Sequence, residues 1–238
     1  MAAAAIFVIC CTLFAWLTET TVQLDAARLA APLLPVAPPD RTAIPVLYLD
    51  PDNVVMWTLM VAICAMVLLD AVGQWIDNTD REPVRTGRRR VWPFITAAAL
   101  LAATWPALIT LPLLLTAVTT ASAVLATVGA RHAAGRHRPA IGFFAGWATA
   151  LASSALAEMS VQLLGLPQIA VPAVAILPAA ALGMAAQMWI GTSIGYSVAL
   201  IWAFCGLAIS TMGTDPMIAL VAIIGISAMA AVLIRAAS

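Results

Sequence analysis

Lysine is absent from this chain, histidine occurs twice, and only 9% of the 238 residues are charged. That is too little polar surface to coat a water-soluble globule, and the 63% hydrophobic content points to a chain solvated by lipid. The two histidines, His132 and His137, share one short polar segment. No imidazole therefore stands inside an apolar stretch, where it could ligate a haem iron or a chlorophyll magnesium. The four cysteines (Cys10, Cys11, Cys64, Cys205) show no CxxC spacing and read as packing residues rather than metal ligands or disulfides. There is no HExxH, no glycine-rich phosphate loop, no nucleophile elbow and no paired-carboxylate spacing. An enzyme is not expected. The basic cluster from Arg131 to Arg138 is too short for a nucleic-acid surface and reads as a topology signal that can also touch anionic lipid headgroups.

What is present is a series of long apolar runs. At about 20 apolar residues per crossing the chain has room for roughly seven or eight spans and no separate soluble domain. The expected fold is all-α, a polytopic membrane helix bundle with helices near 2–18, 53–75, 91–108, 111–130, 139–163, 168–188, 194–212 and 217–235. The first run, MAAAAIFVICCTLFAWL, has no basic residues before its apolar stretch and a large Ile9 ahead of Cys10, so it is expected to be retained as the first helix. Prolines at 32, 35, 38, 39, 45 and 51 forbid a continuous helix through the following segment, which is expected to form a long outer loop over 19–52. Pro172 and Pro178 are expected to bend the sixth helix.

Arginine placement sets the expected topology. The 19–52 segment carries five acids against two arginines, whereas 76–90 carries Arg81, Arg85, Arg88, Arg89 and Arg90 against three acids. The positive-inside rule puts the first outside and the second in the cytoplasm. The cluster at 131–138 and Arg235 fall on the cytoplasmic side of the same eight-helix scheme, with both termini inside. Small residues four apart (Gly142 and Gly146, Gly191 and Gly195, Ser227 and Ala231) read as close helix packing more readily than as a dimerisation face.

Two acids lie within expected spans, where an ionisable group needs a partner or water. Asp70, one turn from a helix end, can reach the interface and Arg88 to Arg90. Glu158 has no basic residue in any expected helix interior, so it needs a neutral partner such as Ser153, Ser154, Ser160, Gln162 or Gln187, or a proton.

The order of features resembles one known family. Pro51 to Thr58 reads P-x-x-V-V-x-W-T at the start of the second helix, Trp105 falls late in the third, and Pro139 to Ala150 reads P-x(3)-F-x-x-x-W-A-T-A. This looks like the tryptophan-rich sensory protein (TspO/MBR) family, also called the translocator protein family. The segment Gly195, Tyr196, Trp202, Ala203 resembles the extra C-terminal helices of its longer bacterial members. The resemblance implies a five-helix membrane core over 1–163, a three-helix extension over 164–238, and a bacterial inner-membrane location. It also implies a ligand pocket toward the outer loop, for a porphyrin or another tetrapyrrole, with Trp57, Trp105, Phe144 and Trp147 as stacking rings; Glu158 joins the ligand-binding candidates independently, as an acid within an expected span. The sequence departs from the family at Ala102 and Ala155, where asparagines are common, and at Val61, where an aromatic is expected. The reading is thus a non-enzymatic binding or sensory protein for a small apolar or planar ligand. The alternatives are an accessory subunit of a membrane complex, in contact with itself or with partner helices, and a proton-coupled transporter using Glu158. The last is disfavoured by the lack of an internal repeat.

Overall fold

The computed structural model describes residues 2–29, 45, 48, 53–76, 91–108, 111–135, 138–167, 170–191, 193–211 and 216–237. All regular structure among them is helical: α1 (Ala2–Leu29), α2 (Val54–Ile76), α3 (Trp92–Ala103), α4 (Trp105–Leu108), α5 (Pro112–Ala133), α6 (Pro139–Leu164), α7 (Val171–Ile190), α8 (Ile194–Thr211) and α9 (Pro216–Ala237). Four stretches are long and apolar enough to cross a membrane: Val54–Gly73, Pro112–Ala133, Pro139–Leu164 and Ala173–Ile190. Shorter apolar helices run over Ala2–Trp16, Trp92–Ala103, Ile194–Ser210 and Leu220–Arg235. The arginine-rich stretch 77–90, most of the expected outer loop and the turn at 212–215 lie outside the described residues.

Proline punctuates the helices. It occupies the first turn of α3, α5, α6 and α7 and opens α9, where its missing N–H would have no intrahelical partner anyway. Three boundaries differ from expectation for local reasons. α1 continues eleven residues past Thr18 because TETTVQLDAARL holds no glycine or proline, and the first breaker is Pro32. The third helix breaks at Thr104 into α3 and α4, since Pro106 can neither donate an N–H nor tolerate the carbonyl four residues back. The Thr104 hydroxyl donates to the Leu101 carbonyl at 2.8 Å across that break. Pro172 sits in the first turn of α7 and so does not interrupt it, leaving Pro178 as the proline inside that helix.

α6 is the central helix. It is buried over most of its length and packs against α5, α8, α7 and α2, while α1 lies on α3 and α2, and α9 covers α7 and α8. One continuous apolar core runs from Ala3 to Met229, so the C-terminal helices share the core of the first five.

At the α6–α8 crossing the two backbones approach closely. A Cβ on Gly146 would run into the Tyr196 carbonyl oxygen, one on Gly142 into the Ser193 hydroxyl, and one on Gly195 into the Pro139 carbonyl oxygen. Lacking side chains, these residues let the two backbones meet, as the four-residue spacing implied. Gly191 plays a different part, as the residue that ends α7 with φ +92°. The turn there is held by buried Gln187, whose Nε2 donates to the carbonyls of Gly191 (2.8 Å) and Ser193 (2.9 Å) and whose Oε1 accepts from the Ser197 hydroxyl (2.8 Å). Arg131 Nη1 donates to the Ile190 carbonyl at 3.1 Å.

Candidate ligand site

α6 presents Phe144 and Trp147 on one face, and α1 presents Ala3, Phe7 and Cys11 at four-residue spacing. Helix geometry puts each set on a single stripe, and the stripes meet. Phe7 packs edge-on against Phe144 (centroids 5.6 Å, planes at 87°) and Trp147 (5.7 Å, 74°). Trp105, carried by α4 after the break, lies 4.8 Å from Trp147 at 43°, and Phe144 lies 6.0 Å from Trp147. All four rings are buried. Among the described residues the Trp105 indole N–H finds no acceptor; a buried donor left so costs about 1–3 kcal/mol.

The structure therefore brings together three of the ring candidates, Trp105, Phe144 and Trp147. It does not bring Trp57 to them: that ring, on the first turn of α2, is 45% exposed on the outside of the bundle. Glu158 is also apart, near the end of α6, where its Oε1 accepts from Gln162 Nε2 at 3.2 Å. Gln162 is one of the neutral partners expected for it. Phe7 was not foreseen. The N-terminal half of its helix is apolar on nearly every side, so nothing in the residue pattern marked the face that turns inward.

Beside the rings lies a cavity of about 60 Å³ between α1, α2, α3 and α6. Ala3, Ala71, Ala99 and Ile141 form much of its wall, Phe144 of the ring cluster also lines it, and Asp70 and Thr96 supply polar groups. It sits where the N-termini of α1, α3 and α6 gather with the C-terminal end of α2. In the arginine-based topology that is the cytoplasmic end, opposite to where the family resemblance would place a pocket.

Asp70 is held by Arg138, whose Nε donates to Oδ1 at 2.9 Å and whose Nη2 donates to Oδ2 at 2.7 Å. The two side chains are only 12% and 14% exposed, so the fork is largely withdrawn from solvent. Arg138 stands immediately before α6, and the pair ties the end of α2 to the start of α6. The partner first expected for Asp70, Arg88 to Arg90, lies outside the described residues. Tyr48, a described residue of the long segment before α2, is buried in the core, and burial pushes its phenol above the ordinary range.

A planar tetrapyrrole does not fit this arrangement. Stacking on both faces requires two rings to stand apart by roughly twice a contact distance of about 3.5–4.0 Å, and here the rings occupy one another's faces and edges. The adjoining cavity is far smaller than the ~300–1,000 Å³ usual for ligand pockets. Ala102 and Ala155, at the family's asparagine positions, are both buried. The site is suited to something small and mostly apolar that can meet a carboxylate and a hydroxyl at its edge. No family model, curated protein or solved structure matches the chain.

Proposed function

We propose that this chain is an integral membrane bundle of eight crossing helices with both termini on the cytoplasmic face of a bacterial inner membrane. It acts as a non-enzymatic binding protein with a sensory or regulatory consequence. The observation that carries this reading is the cavity between four helices, with Phe144 in its wall and the Asp70–Arg138 pair at its edge. Its ligand is a small apolar molecule. A tetrapyrrole would demand that Trp105, Phe144 and Trp147 part. Reporters fused after Arg90 and near Pro39 check the topology, the first reading cytoplasmic and the second external.

Ligand binding is tested by tryptophan fluorescence of the purified protein titrated with dibromomethane, a small apolar heavy-atom quencher, and separately with protoporphyrin. Trp92 lines the cavity and Trp147 lies behind Phe144, so saturable quenching by dibromomethane that Ala99→Leu abolishes is expected. Saturable, stoichiometric protoporphyrin quenching that weakens in Trp147→Leu would restore the tetrapyrrole reading. The closed ring cluster favours a second reading, in which the bundle is an accessory subunit with its pocket filled in. Failure of both titrations, together with co-purification at fixed stoichiometry from native membranes, would establish it.

A further inference from the structure

The cavity between α1, α2, α3 and α6 sets the Asp70 carboxylate and the Thr96 hydroxyl against an apolar wall that includes Ala99, Ile141 and Phe144. Charge narrows what can meet them. A carboxylate or phosphate would stand beside Asp70, like charge against like, at a pair largely withdrawn from solvent. An ammonium group would need a net negative site, yet the Arg138 fork already matches the Asp70 charge. What is left is a neutral group that donates, because an ionised carboxylate only accepts.

Thr96 supplies the other half of the recognition. Thr12, Thr58, Thr127 and Thr149 each donate their hydroxyl to the carbonyl one turn back, whereas the Thr96 hydroxyl has no hydrogen-bond partner among the described residues. A ligand hydroxyl both accepts and donates through one oxygen, so it answers Thr96 and Asp70 together. Size sets the rest of the ligand. A water needs about 10–15 Å³ of such space, and the cavity of about 60 Å³ therefore has room for roughly four to six non-hydrogen atoms. Trp92 belongs to the same wall and is 50% exposed, so it stands between the cavity and the outside.

We propose that the cavity binds a short primary alcohol of about three to five carbons. The alcohol enters beside Trp92, sets its hydroxyl between Asp70 and Thr96, and lays its chain against Ala99, Ile141 and Phe144. This names the ligand class of the small-molecule site proposed above and rests on that reading.

The test titrates the purified full-length protein with 2-bromoethanol and with 1-bromopropane, at measured free concentrations, and follows tryptophan fluorescence. The two probes have the same count of non-hydrogen atoms and differ in the hydroxyl, and bromine inside the cavity quenches Trp92. The expected result is saturable quenching by 2-bromoethanol that Ala99→Leu abolishes. Thr96→Val should weaken it about fivefold, within the usual range for one hydrogen bond, Thr96→Ser should restore it, and 1-bromopropane should be indifferent to both changes. Equal binding of 2-bromoethanol by wild type and Thr96→Val, or the same loss for both probes, would overturn the alcohol. Saturable quenching by 1-bromopropane alone would overturn it too, while leaving the apolar site standing. No saturable quenching by either probe would overturn the site itself, and this inference with it.

Discussion

Two regions of α6 use small residues to opposite effect. Along α8, Gly142, Gly146 and Gly195 bring backbone against backbone, and polar groups line the join: Tyr196 donates its hydroxyl to Thr149 at 3.2 Å, and Gln187 closes the adjoining turn. Toward α1, α2 and α3, the small residues are Ala3, Ala71, Ala99 and Ala140, and a cavity remains between them. Glycine gives contact because it lets a second backbone in. Alanine holds the helices one methyl further apart, and unless a larger side chain enters from the far side the gap stays open. A small residue thus marks a seam or a void according to what faces it.

The largest expected effect comes from the open side. Arg138→Ala removes the two-bond fork from the mostly buried Asp70 carboxylate and should destabilise the protein by about 3 kcal/mol, the low end for breaking a buried pair. Denaturation in mixed micelles would measure it, and Asp70→Asn added to Arg138→Gln should recover most of the loss. If the single and double variants behave alike, the fork is not what holds that end together.

On the closed side, Gly146→Ala drives a methyl at the Tyr196 carbonyl and should cost about 2 kcal/mol, within the range for overpacking. Ala99→Leu, a larger addition by volume, should cost less, because it enters the cavity. A reversal of that order would erase the contrast between seam and void. Gln187→Leu removes donors from two turn carbonyls and should lower stability by about 1.5 kcal/mol, read from the same unfolding curves. The smallest effect belongs to Glu158→Gln, which exchanges one partner of an exposed bond to Gln162. It should change stability by less than about 0.5 kcal/mol, and proton-coupled uptake in vesicles that is unchanged by it would remove the proposed coupling role of Glu158.

Much of the helix layout was legible because proline and apolar run length act locally. Pro112, Pro139 and Pro216 mark helix starts within a residue of those expected. What escaped depends on context. Pro172 and Pro178 look alike in sequence, yet one falls in a first turn and the other four residues beyond the end of it, and only the position decides whether a hydrogen bond is lost. The α1 extension was hidden by its polar character, which argued for a loop even though no residue in it opposes helix.

The candidate site was half legible. Trp105, Phe144 and Trp147 do converge, and Trp57, equally attractive as a flat ring, points away. In a helix apolar all round, residue type says nothing about which side turns inward, and the same blindness hid Phe7. Asp70 found its counterion 68 residues away because α6 begins beside the end of α2, a neighbour relation that only packing creates.

The Gln187 turn bears on how such a chain reaches its final place. α7 and α8 are joined by a tight bend whose exposed carbonyls are already answered by a side chain of α7 itself. A helical hairpin of that kind carries its own polar satisfaction with it, so in the membrane reading proposed above the two helices can enter the bilayer as one body, before they dock on α5 and meet Arg131.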